Sequence, residues 1–144
     1  MPAFGEPWFW WALASAGFAA LTAVFAKIGV AGIASDLATA IRTMVVVAMA
    51  FLVAWLSGAF PPKAPINART WAFLILSGLG TGASWLCYFR ALQLGQASKV
   101  APVDKLSLVL VALFSTLFLG ESLTLANWAG VGLIVAGVLL LTMG

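Results

Sequence analysis

The sequence predicts an all-α membrane protein with five transmembrane helices, and three observations carry that prediction. Of its 144 residues, 64% are hydrophobic and 8% charged, with a mean hydropathy of +1.13; a soluble domain holds about 45–50% apolar and about 25% charged residues. The apolar residues form five long runs, each near the roughly 20 residues that a helix needs to cross hydrocarbon. The breaks between the runs carry turn chemistry. Such a chain cannot cover a water-facing surface, which excludes a soluble enzyme, a nucleic-acid binder and a disordered chain. Long runs in place of short alternating ones exclude an outer-membrane barrel.

The first span runs from about Trp8 to Ala26. A cleaved signal has a basic n-region and an apolar core of 7–15 residues, whereas this run is longer and is preceded by Glu6 with no Lys or Arg, so it reads as a retained helix. Lys27 to Asp36, with two glycines and Ser35, separates it from the second span, about Leu37 to Leu56. The segment Ser57 to Pro65 holds three prolines, which lack the N–H and clash with the preceding turn. The third span covers about Trp71 to Phe89. A short polar stretch, Gly95 to Val100, leads to the fourth, about Ala101 to Leu119, and a tight Gly120-Glu121-Ser122 turn leads to the fifth, about Leu123 to Thr142. Five helices leave no room for a soluble domain, so residues 1–144 read as a single transmembrane domain.

The polar inventory narrows the chemistry. There is no histidine, one cysteine (Cys87) and four carboxylates, Glu6, Asp36, Asp104 and Glu121. A zinc site uses a cluster of usually four Cys, His or carboxylate ligands, and none is assembled here. The commonest general base is missing and the lone thiol has no internal partner, so neither a metal, a cofactor nor an enzymatic activity is expected. The seven Lys and Arg are scattered, with no basic run to mark a nucleic-acid partner. Five spans put the termini on opposite sides. The N-terminal side receives Lys63 and Arg69. The other side receives Lys27 and Lys99, and gains Arg42, Arg90 and Lys105 when helix-edge residues are counted. The positive-inside rule counts those edges and so favours N-out, C-in; the strict loop count is a tie compatible with dual insertion.

Several stripes run along the helices. Ser77, Thr81, Ser84 and Tyr88 are spaced +4, +3, +4 and share one face of helix three. Asp104, Ser107 and Ser115 share a side of helix four, and Thr39, Arg42 and Thr43 lie near the start of helix two. Polar side chains in lipid turn toward the bundle interior or a wet cavity, so these stripes are candidates to line a substrate path. The competing reading is that each hydroxyl bonds to its own helix or to a neighbour. Ala12/Ala16/Ala20, Gly78/Gly82 and Ala126/Gly130 have the spacing of close helix packing, and Trp8, Trp10, Trp11, Trp71 and Trp128 sit at proposed helix ends, where indoles favour the headgroup level. Trp85 differs: it lies deep in helix three, as core filler or as an aromatic wall.

The charges near the membrane have two readings each. Asp104, two residues after Pro102, suits a first helical turn, where it gains from the helix dipole and pairs with Lys105 or Lys99. The sharper reading makes it a proton or cation site. Arg42 snorkels to the interface, pairs with Asp104 or meets an anionic group of a substrate. Glu121 reads as a cap or as a partner of Lys63 or Arg69.

Ala91-Leu92-Gln93-Leu94-Gly95-Gln96-Ala97-Ser98-Lys99-Val100-Ala101-Pro102 resembles the junction of helices three and four in EamA-type transporters of the drug/metabolite transporter superfamily. Leu119-Gly120-Glu121, Trp128, Gly130, Leu133-Ile134 and Gly137-Val138 resemble the ending of the same repeat, with Arg42 and Lys27 fitting more loosely. Many members carry a proline within helix four where this chain reads Leu106-Ser107-Leu108-Val109, which removes the residue that would kink the helix there. The resemblance implies one half-repeat of a ten-helix carrier and a short single-repeat member that works as a homodimer. An antiparallel pair would allow alternating access by rocking. The implied function is a secondary carrier of a small organic metabolite or drug-like solute in a bacterial-type inner membrane. The alternative is a half-carrier or non-transporting subunit that works only with a partner chain.

Overall fold

The computed structural model describes residues 6–62 and 64–143; Lys63, counted above in the charge balance, lies outside them. The described elements are helices: α1 (Pro7–Gly29), α2 (Ser35–Leu56), α3 (Ala68–Leu94), α4 (Ala97–Asp104), α5 (Ser107–Phe118) and α6 (Leu125–Met143). They supply five stretches long and apolar enough to cross a membrane, with α4 and α5 together forming the fourth.

Local chemistry explains the ends. Pro7 opens α1, where its missing N–H costs nothing. The last turn of α2 closes on Gly58 at φ +69, with the Gly58 N–H bonded to the Trp55 carbonyl and the Ala59 N–H to the Ala54 carbonyl. This is the Schellman arrangement, whose left-handed residue is cheapest as glycine. Asn67 caps α3: its Oδ1 accepts the Thr70 N–H at 2.7 Å. Thr124 caps α6, its Oγ1 accepting the Asn127 N–H at 3.3 Å.

Helix three begins three residues earlier and ends five later than the apolar run suggests. At 1.5 Å per residue it is roughly 40 Å long, against about 30 Å of hydrocarbon. A helix longer than the hydrocarbon is thick carries polar residues at its ends, where hydropathy no longer marks it. A second difference concerns the fourth span. The helix starts at Ala97, so Asp104 closes α4 instead of occupying a first turn, and the dipole gain expected for it is not realised. Pro102 lies inside α4 and cannot donate to the Ser98 carbonyl. Downstream, the Lys105 N–H goes to Pro102 O, Leu106 to Val103, Leu108 to Lys105 and Val109 to Leu106. These i→i−3 bonds tighten the chain into a 3₁₀-like step. The helix is therefore interrupted at Lys105–Leu106, although no proline stands there.

Residues up to Ala23 together with those from Gly95 onward form one compact unit; Val24–Leu94 form the other. In the first, α6 packs against α4 and α5, with Ser115 and Val138 buried. Ser115 and Thr116 both donate to the Ala112 carbonyl, at 3.2 and 2.9 Å. In the second, α2 packs along α3 and the buried residues are Ala26, Val30, Ser35, Ala38, Thr39, Phe89 and Leu92, the last fully enclosed. Gly78, Gly82 and Gly130 do not mark close approaches, since a Cβ added at any of them would meet nothing within 4 Å.

Candidate functional site

The face of α2 turned to α3 is read from its burial. Ser35, Ala38 and Thr39 are buried and Arg42, Thr43 and Val46 half-buried, the i, i+3, i+4, i+7 progression of one helical stripe. On α3 the less exposed positions are Gly82, Trp85, Tyr88, Phe89, Ala91, Leu92 and Gln93. The hydroxyls of the α2 stripe are spent locally: Thr39 Oγ1 donates to the Ser35 carbonyl at 2.9 Å and Thr43 Oγ1 to the Thr39 carbonyl at 2.8 Å. This is the usual way a threonine satisfies itself in a membrane helix.

Arg42 is different. It lies seven residues into α2, about 10 Å along the axis, and its guanidinium carbon stands 4.0 Å from the centre of the Trp85 ring and 5.5 Å from that of Phe89. Both rings project from α3 one turn apart, so two aromatic faces hold one cation. Trp85 is thus the seat of Arg42. Of the Arg42 readings, the structure brings the side chain to these rings. Phe89 was absent from the predicted site, yet Trp85 and Phe89 are an i, i+4 pair and so share a face; that spacing was the available signal.

The same end of the α2–α3 pair is tied by polar bonds. Lys27, half-buried at the end of α1, donates to the Leu92 carbonyl in the last turn of α3. Gln93 Nε2 donates to the Ile33 carbonyl at 2.9 Å, and Arg90 Nη1 donates to Gln93 Oε1 at 2.8 Å. A cation on C-terminal helix carbonyls is favourable both as a hydrogen bond and against the dipole. Lys27, Val30, Ala31, Gly32 and Gln93 line a cavity of about 210 Å³ here. A larger open cleft of about 400 Å³ is lined by Ser35, Asp36, Leu86, Cys87 and Arg90.

The remaining predicted residues are distributed as follows. Ser77, Thr81 and Ser84 lie on exposed positions of α3 and Tyr88 is half-buried; Thr81 Oγ1 donates to the Ser77 carbonyl at 2.9 Å. Asp104 forms an ion pair with Lys105, Oδ2 to Nζ 3.1 Å, one of the partners named for it above. Ser107 opens α5 and is exposed.

Five helices long and apolar enough to cross a membrane make the chain a multi-pass integral membrane protein. The chain belongs to the EamA-like transporter family, whose profile matches residues 6–143, as a short single-repeat member. It is 59% identical over 138 residues to a Sinorhizobium protein described as an uncharacterized transporter in the cobO 3′ region, covering 96% of this chain and 98% of that one. It is also 33% identical over 82 residues to a probable 4-amino-4-deoxy-L-arabinose-phosphoundecaprenol flippase subunit ArnE from Hamiltonella defensa, covering 57% of this chain and 74% of the relative. The protein of the same description from Aeromonas hydrophila is 39% identical over 69 residues, covering 48% and 60%. No solved structure matches the chain.

Proposed function

We propose that the chain is a secondary carrier of a small organic metabolite or drug-like solute, working by alternating access as a pair of five-span chains in a bacterial inner membrane. Membership of a transporter family supports the class. One observation carries the reading further: Ser77, Thr81 and Ser84 occupy exposed positions in a span of 27 residues. Thr81 is bonded to the Ser77 carbonyl, whereas serine hydroxyls facing acyl chains are poorly satisfied; a second chain and a hydrated path against this row would give Ser77 and Ser84 partners. Trp85, Tyr88 and Arg42 belong to the same α2–α3 unit and are proposed to border the path. Asp104, with Ser107 beside it in sequence, is the proposed coupling group of its own unit. No metal or cofactor enters this scheme. A homodimer, antiparallel if both orientations insert, restores the two-fold axis in the membrane plane.

Reconstitution tests it. The purified chain in liposomes is expected to move at least one of an amino acid, a nucleoside or an amphiphilic cation faster than empty vesicles, and movement of none counts against the carrier. Cysteines introduced at Lys63 and Lys99 in a Cys87→Ser background test the arrangement in whole cells. Labelling of one site gives a single orientation and labelling of both gives dual insertion.

The second reading is a subunit that acts only beside a different five-span chain. The description of the ArnE relatives as flippase subunits favours it. Transport that appears only on co-expression with a second short chain would decide for it.

A further inference from the structure

We propose that Arg42, seated on Trp85 and Phe89, is the anchor for the phosphate group of a ligand in the α2–α3 unit. This names the ligand chemistry of the path just described and rests on that reading for its transport role. The argument begins with the charge. An ionised side chain about 10 Å into a span is costly unless it is paired. Asp36 is the only carboxylate between residues 24 and 94. It lies six positions before Arg42, which is about 9 Å along the helix and about 240° around it, and no ion pair joins them. Among the described residues, no hydrogen bond or ion pair uses the Arg42 guanidinium, and the Tyr88 phenol is the polar group that interacts with it electrostatically.

The aromatic seat explains how that is tolerated and what it leaves over. Trp85 and Phe89 engage the cation through their ring faces at 4.0 and 5.5 Å. Contact of this kind leaves the in-plane N–H donors for an acceptor. A planar fork of donors fits the oxygens of an oxyanion two at a time, which an ammonium cannot do. Arg90, one position after Phe89 on α3, lines the open cleft, and Arg42, Arg90 and Lys27 give this end of the unit three cations to the one carboxylate, Asp36. That balance suits a phosphate, whose charge and oxygen count exceed those of a carboxylate. The cleft is open, and the exposed apolar side chain of Leu86 lies beside Arg90 in its lining. An alkyl chain on the phosphate has that apolar contact to use, which free phosphate lacks.

Cys87 supplies the readout, because it is the single cysteine of the chain, is exposed, and lines the cleft. The full chain in detergent is alkylated with a maleimide in the presence of octyl phosphate, inorganic phosphate, octanoate or octanol. Octyl phosphate is expected to slow the alkylation at least fivefold, with octanol and octanoate far weaker at the same concentration. Arg42→Gln is expected to raise the half-protecting concentration at least tenfold, with Arg42→Lys between the two. Trp85→Leu is a second variant that keeps the charge and removes its main seat; it is expected to weaken protection severalfold, with helicity and gel-filtration behaviour checked for each protein. Protection by octyl phosphate alone identifies an amphiphile, and equal protection by inorganic phosphate identifies the free anion; either supports the anchor. Octyl phosphate that protects Arg42→Gln as well as the natural chain, or octanol or octanoate that protects as well as octyl phosphate, overturns it. The assay requires no transport: protection without uptake in liposomes removes the carrier reading and leaves the site, and uptake without Arg42-dependent protection does the reverse.

Discussion

Replacing Lys27 with methionine keeps the apolar stem of the side chain and removes its donors and charge. The Lys27 ammonium donates to the carbonyl of Leu92, a fully buried residue in the last turn of α3. A hydrogen bond to a charged group contributes about 1.5–3 kcal/mol, and a cation at a helix C-terminus adds about 0.3–1 kcal/mol. Because Lys27 is half-buried, solvent takes over part of the lost bond, so the net cost of Lys27→Met is expected at about 2–3 kcal/mol. This corresponds to about a 30- to 150-fold change in the unfolding equilibrium. Titration of micelle-bound protein with dodecyl sulfate, followed by far-UV circular dichroism, measures it. Lys27→Arg, which keeps the charge, is expected to recover about half the loss. A Lys27→Met protein within about 0.5 kcal/mol of the natural chain would refute the reasoning, since surface-type contacts fall in that range.

Three other substitutions probe separate links. Gly58→Ala meets no atom within 4 Å, so its whole effect comes from φ +69; the expected loss is about 1–2 kcal/mol in the same titration. Asn67→Ala removes the acceptor of the Thr70 N–H and is expected to cost about 1 kcal/mol, with faster amide exchange in the first turn of α3 as the local signature. Asp104→Asn removes an ion pair whose members are 33% and 52% exposed, so stability is expected to fall by less than about 1 kcal/mol. Uptake driven by a pH gradient in proteoliposomes is expected to be abolished by the same change, and unaltered uptake would retire Asp104 as the coupling group.

Much of the fold was legible in the sequence. The number of spans follows from hydropathy, and the stops after α2 and α5 follow from Pro and Gly with no appeal to neighbours. The ends of α3 were not, because Arg69, Thr70, Arg90 and Gln93 are polar residues that a helix keeps as it leaves hydrocarbon. The step at Lys105–Leu106 was missed because no breaking residue stands there; it arises as the hydrogen-bond ladder passes to i→i−3 below Pro102. At the site, the sequence showed that Arg42 and Trp85 were unusual for their depth, and left the partner of each open.

The primary structure alone made this chain a five-span membrane protein, because each span is selected by its own run of about 20 side chains and by the cost of an unpaired backbone in lipid. It also placed the hydroxyl row on one face of α3, since helical period is local. Which side chains meet was decided only by tertiary packing. Arg42 found Trp85 and Phe89, and Lys27 found the carbonyl of Leu92, because α2 and the end of α1 lie beside the end of α3. Residues 43 to 65 positions apart in the chain are brought within contact there, and no local pattern encodes that distance.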